Sequence, residues 1–279
     1  VGSVASAGQM GVTGYIYPDG FNVSPFGTCF HEVDAWIPPS PFYYDDEIED
    51  GYLNTDMYIK AKAAGIQWAW ASVGFNIEGH RGFAPHDIAV RTYKDIGIAP
   101  IGGVGPEGVQ DLERYRQKIA KAVTRYKGVI KAWRLGNEMD VNPLGGPYPT
   151  PGAYCDVLKI VHDCVKSVDP DQLVIIGPLA LPDGTSHVWN NGDWYVEDGT
   201  LNVADEDLLR KCLHYIVNVK HENPKGYFDV VAFNRYPDTV DLNKIKAILG
   251  GMLDYISSAF KEYGVPEVPI WMTETSLVV

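Results

Sequence analysis

The sequence is poor in the features that mark several large classes of protein. No window of the 279 residues approaches the roughly 18 uninterrupted apolar residues that a membrane-spanning helix requires. Basic residues are scarce, with 23 Lys and Arg against 36 Asp and Glu and a formal net charge of -13. Nucleic acid and anionic membrane are therefore not expected as partners, because binding phosphate needs clustered cations. There are four cysteines, Cys29, Cys155, Cys164 and Cys212, and no CxxC, so zinc-ribbon and thioredoxin-type readings have no support. Cys155 and Cys164 fall in one predicted helix, where a rise of ~1.5 Å per residue sets them ~13 Å apart, too far for a disulfide. Thiols in or near the core are expected rather than a disulfide framework. His80, His86, His187 and His221 are scattered singly, and no HxH cluster offers a metal site. Gly102-Gly103-Val104-Gly105 follows a predicted strand as phosphate loops do, but lacks Gly-Lys-Ser/Thr and reads as a turn. No metal and no cofactor are expected.

The first ten residues are small and uncharged, without the basic start and apolar centre of a signal peptide. They equally suit the end left after such a signal is removed, and a secreted location is favoured slightly over a cytoplasmic one. There is no internal repeat, no low-complexity tract and no linker. Oligomeric state is not legible.

What is present is ordinary globular composition, 46% hydrophobic and 21% charged, arranged as strands alternating with helices. After a Gly/Ser/Ala-rich extension over 1–25, strand-like apolar runs occupy 26–31, 66–73, 98–101, 130–138, 173–177, 228–233 and 268–274. Helical patterns fall between them at 53–64, 88–95, 108–126, 154–168, 205–221 and 242–263. The clearest is 108–126, with Leu112, Tyr115, Ile119, Val123 and Tyr126 at steps of three and four residues. Gly65, Gly97 and Gly264 stand where helices commonly stop. Two long aromatic loops, 32–51 and 178–203, are of a length that tends to be functional. Short strands apolar on both faces, each followed by a helix, are the pattern of parallel strands buried under helices. The expectation is one α/β domain over 26–279, a (β/α)8 TIM-type barrel with seven strands readable. The eighth is missing from the sequence, so the domain is expected to be incomplete at its C-terminus.

Two strands end in glutamate. Trp133-Arg134-Leu135-Gly136-Asn137-Glu138 closes the fourth predicted strand, and Ile270-Trp271-Met272-Thr273-Glu274 closes the seventh. In an α/β barrel the carboxyl ends of the strands line the ligand site. Strands four and seven of an eight-membered ring face each other obliquely across its mouth. Retaining glycoside hydrolysis needs such a pair, two carboxyl groups about 5–5.5 Å apart with one ionised and one protonated.

These two segments resemble the strand-four and strand-seven motifs of the clan A, or 4/7, retaining glycoside hydrolases. The resemblance extends over most of the chain as a strand order, although the motifs themselves are short. It implies that Glu138 is the acid/base and Glu274 the nucleophile of a double displacement on a β-glycosidic bond of a neutral carbohydrate. It further implies that Asn137 binds the sugar 2-hydroxyl, that Tyr236 touches the nucleophile, and that His31 faces the sugar from strand one. Asn234 stands where the clan often has His. Trp70 stands where the clan usually has an Arg of a Trp-x-Arg pattern, and is a candidate sugar-stacking platform together with Trp36, Trp189 and Trp194. The clan's strand-eight Trp has no counterpart. The competing expectations are a non-catalytic carbohydrate-binding barrel and, further off, a metal-dependent hydrolase built on His31.

Overall fold

The computed structural model describes residues 59, 62–63, 67–72, 83–105, 111–137, 139, 150–179, 208–234 and 241–274. Six strands form one sheet in the order β1-β2-β3-β4-β5-β6, every neighbouring pair parallel. They are β1 (Trp68–Ser72), β2 (Ala99–Val104), β3 (Ala132–Leu135), β4 (Leu173–Leu179), β5 (Val230–Asn234) and β6 (Ile270–Glu274). Helices α1 (Ala84–Ile96), α2 (Leu112–Arg125), α3 (Pro151–Val168), α4 (Leu208–His214) and α5 (Leu242–Glu262) connect them in turn. The six strands are the second to seventh of the sequence reading. The predicted first strand at 26–31 lies outside the described residues, as do the 1–25 extension, Cys29 and the aromatic loops with Trp36, Trp189 and Trp194.

Each strand separates two apolar layers. Ala69, Ala71, Val104, Trp133, Leu135, Val174, Ile176, Val231 and Phe233 pack with the helices. The alternate residues Trp68, Ile101, Ala132, Leu173, Ile175, Val230 and Ala232 form a second cluster on the inner side of the curled sheet, with Trp271 against it. This period of two, apolar on both faces, is what made the strands read as buried runs.

Several boundaries differ from the sequence reading, and three of them have a plain local reason. Gly102 and Gly103, read as a turn, lie inside β2, which runs on to Val104. The strand needs them bare. A Cβ at Gly102 would come within 2.6 Å of the Trp133 ring, and one at Gly103 within 1.8 Å of Trp70 Nε1. Helix α3 begins at Pro151 rather than at 154, because Thr150 accepts a hydrogen bond from Ala153 N at 3.2 Å and Pro suits the first helical position. Helix α2 begins at Leu112, where Asp111 accepts from Arg114 N at 3.0 Å. The predicted stops at Gly97 and Gly264 are met: both adopt positive φ, 79° and 63°, immediately after α1 and after the last turn of α5.

The described cysteines Cys155, Cys164 and Cys212 are buried free thiols. No helix among the described residues is long and apolar enough to cross a membrane.

Candidate active site at the carboxyl ends of the strands

The inner face changes character towards the carboxyl ends of the strands. Above the apolar cluster sit Trp70 of β1, Gly103 of β2, Arg134 of β3, Asn234 of β5 and Thr273 of β6. Arg134 is 2% exposed, Asn234 2% and Thr273 3%. Placing a guanidinium in such surroundings is costly unless its donors are met and its plane is covered. The Arg134 guanidinium carbon lies 3.5 Å from the centroid of the Trp70 ring, a cation-π contact. Arg134 Nη2 donates to Asn137 Oδ1 at 3.1 Å. Gly103 sits opposite Arg134 in the β2-β3 register, and its missing side chain is what admits the Trp70 indole.

The polar chain continues across the sheet. Asn234 Nδ2 donates to the same Asn137 Oδ1 at 3.5 Å, and Thr273 Oγ1 donates to Asn234 Oδ1 at 2.7 Å. Trp70, Arg134, Asn137, Asn234 and Thr273 are therefore one connected set spanning β1 to β6. Asn137 directly precedes Glu138, and Thr273 directly precedes Glu274. At Thr273 the β5-β6 ladder shifts by one residue, so that Phe233 pairs with Met272 but Asn234 pairs with Glu274. Such an irregularity re-phases the end of a strand relative to its neighbour.

Three helices fasten the strand ends from outside. Tyr93 of α1 donates to Trp70 O at 3.2 Å, Tyr115 of α2 to Gly105 O at 2.7 Å, and Tyr154 of α3 to Leu135 O at 3.1 Å. Tyr154 Oη also accepts from Gly177 N at 3.2 Å, joining the ends of β3 and β4. All three tyrosines are buried. Each is the helix's apolar-face residue in the sequence, and nothing in its spacing reveals that its hydroxyl meets a strand end.

Of the residues singled out from sequence, Asn137, Asn234 and Trp70 are brought together, and the backbone of Glu274 ends β6 beside Asn234. Glu138, Tyr236 and His31 lie outside the described residues. Trp70 carries Arg134 on its ring. Asn234 is held between Asn137 and Thr273. The residue the sequence reading passed over is Arg134: it stands four positions before Glu138 within a strand whose apolar neighbours suggested only a core. Its signal was a charged residue in a strand apolar on both faces, which must lie against a partner or a site. Among the described residues no group of His, Cys, Asp or Glu is placed to hold a metal ion. A cleft of about 430 Å³ lies in the helix layer, between Pro151, Arg210, His214 and Tyr263. Its Arg210 is engaged by Glu262 at 2.9 Å and Ser258 at 2.7 Å, which leaves no carboxylate pair there.

No protein-family model matches the sequence, and no curated relative does. Solved structures do share its fold. A glucosidase from Croceicoccus marinus superposes over 91% of this chain and 52% of its own, with a TM-score of 0.58 at 15% identity. A family 51 α-L-arabinofuranosidase from Bifidobacterium longum superposes over 91% of this chain and 56% of its own, with a TM-score of 0.55 at 14% identity. The chain thus spans about half the length of the glycosidases it resembles, and the likeness is one of fold.

Proposed function

We propose that the chain is the catalytic barrel, or most of it, of a retaining β-glycosidase acting on a neutral carbohydrate without a cofactor. The observation that carries this reading is the hydrogen-bonded set Arg134-Asn137-Asn234-Thr273, which ties the residue before Glu138 to the residue before Glu274 at one end of the sheet. The glycosidase folds it resembles support the same class of substrate. In this reading the barrel domain covers 26–279, preceded by the 1–25 extension.

The chemistry divides between two carboxyl groups. Glu274, ionised, attacks the anomeric carbon while Glu138 gives its proton to the departing glycosidic oxygen, and a covalent glycosyl-enzyme forms. Glu138, now a carboxylate, takes a proton from water as that water attacks the same carbon and releases Glu274. The stereochemistry is retained because the carbon is inverted twice, which requires the carboxyl groups about 5–5.5 Å apart. Asn137 binds a hydroxyl beside the reacting carbon, Tyr236 positions Glu274, and His31, Asn234 and Trp70 shape the sugar site.

Glu138→Gln and Glu274→Gln, assayed against a panel of aryl β-glycosides, test the assignment. Each is expected to lose most of the wild-type rate, and retained rates in both variants would remove these two residues from the chemistry. Saturable sugar binding by the wild type in calorimetry, with no product after long incubation, would instead mark a binding-only barrel.

A further inference from the structure

We propose that Arg134 is a positioning residue that sets the direction of the hydrogen bonds linking Asn137, Asn234 and Thr273 and leaves Asn137 as a pure donor to the ligand. The proposal rests on the glycosidase reading for the identity of the ligand, but its physical basis is independent of it.

A guanidinium has only donors, whereas an asparagine amide presents oxygen on one side and NH2 on the other. The amide atom of Asn137 that faces Arg134 Nη2 at 3.1 Å must therefore be its oxygen. The Asn234 group approaching that oxygen, at 3.5 Å, must be its NH2. The oxygen of Asn234 then faces Thr273, whose hydroxyl proton goes to it at 2.7 Å in preference to Phe233 O at 3.3 Å. One donor-only residue at the β3 end thus orders two amides and a hydroxyl as far as β6. A neutral residue at position 134 that could accept as well as donate would leave the Asn137 amide free to turn over.

The consequence lies at Asn137. Its oxygen is occupied twice, and its Nδ2 makes no hydrogen bond among the described residues. The residue is half-buried at the strand end, so two N–H groups remain for a ligand acceptor. The group recognised there is an oxygen used through its lone pairs, such as a sugar hydroxyl, and a ligand presenting only N–H at that point is rejected. Trp70 and Gly103 serve the same end: the indole covers the guanidinium plane, and the bare glycine makes room for the indole.

The experiment compares Arg134→Met, Arg134→Lys, Asn137→Ala and the pair Arg134→Met with Asn137→Ala. It has two readouts: kcat/KM on the best-turned-over aryl β-glycoside, and the side-chain amide resonances of protein labelled with 15N at asparagine. Arg134→Met is expected to lower kcat/KM about 100-fold, the scale of a misplaced positioning group. Arg134→Lys, still donor-only, is expected to recover most of that loss. In the Asn137→Ala background, Arg134→Met is expected to change the rate less than about threefold, because the two residues act as a unit. The Asn137 and Asn234 amide resonances are expected to shift in Arg134→Met and to stay near their wild-type positions in Arg134→Lys. Losses that multiply in the double variant, or amide resonances unmoved by Arg134→Met, overturn the proposal. If Arg134→Met does not fold, Arg134→Gln takes its place with the same expectations. A wild type that turns over no glycoside defeats the glycosidase reading alone, and the amide spectra then decide the role of Arg134 by themselves.

Discussion

At the scale of single residues, the site end of the sheet depends on side chains that lock one another. Gly103 is the most demanding position. Its β-carbon would meet Trp70 Nε1 at 1.8 Å, and the Trp70 ring is held in turn by the Arg134 guanidinium. Gly103→Ala is expected to destabilise the fold by about 1–3 kcal/mol, the usual cost of overpacking. It should also change the fluorescence of Trp70, a change absent from Gly128→Ala, whose β-carbon would meet nothing within 4 Å. On the outer face, buried Trp133 Nε1 donates to Gln172 Oε1 at 2.9 Å. Gln172→Leu leaves that N–H without its acceptor, and a loss of about 1–3 kcal/mol is expected in urea denaturation.

Also at this scale, His162 gives the protein a pH dependence. Burial lowers its pKa, against the pull of the Asp229 and Asp163 carboxylates and with the nearby Lys166 ammonium. Its folded pKa lies below its unfolded value, so on acidification the unfolded chain takes up a proton that the folded one does not. Stability is then expected to fall as pH drops below about 6.5, the ordinary histidine value. His162→Gln should flatten that part of a thermal-denaturation profile, and an unchanged slope would place the acid sensitivity elsewhere.

At the scale of elements, the helices do more than cover the sheet. Tyr93, Tyr115 and Tyr154 come from three successive helices, and each hydroxyl meets a carbonyl of the strand just before its own helix or of the residue that follows that strand, at the strand end for Tyr115 and Tyr154. The strand end is where the parallel ladder runs out and carbonyls need other partners. Tyr154 is the most consequential, since it joins Leu135 O of β3 to Gly177 N of β4. Tyr154→Phe is expected to cost about 1–3 kcal/mol in chemical denaturation. If the proposed site is right, it should also lower kcat with KM little changed, because β3 leads directly into Asn137 and Glu138.

The element scale also shows what the pattern along the chain could and could not reveal. Helix faces and strand runs were legible because burial imposes periods of 3.6 and 2 on the apolar residues. The Gly102-Gly103 strand was not, since a glycine pair signals a turn in isolation. Only the Trp133 ring on one face and the Trp70 ring on the other explain why a strand carries it. The start of α3 was hidden in the same way, as Pro151 belongs equally to a loop and to the first turn of a helix until the Thr150 cap is seen.

At the scale of the whole molecule, the six parallel strands run in chain order. Every described strand end therefore gathers on one side, which brings together segments far apart in sequence. Ligand binding at that side should stabilise the whole domain. A sugar at a hundredfold excess over its Kd is expected to add about 2.7 kcal/mol, read as a rise in Tm. Glu274→Gln should keep that rise while losing turnover, whereas Asn137→Ala should diminish it.

The sequence by itself determined the alternation of strand and helix, the parallel sheet under its helices, and a last described strand that ends in Glu274. These follow from periodicity and from turn and cap residues, which act over a few neighbours. Tertiary structure alone decided that Trp70 meets Arg134, that Arg134 orders Asn137, and that Asn234 and Thr273 carry this order across to β6. The physical reason is range. A hydrogen bond between residues 39 or 97 positions apart depends on which strands the fold makes neighbours and on the phase of each, and neither is written in the spacing along any one strand.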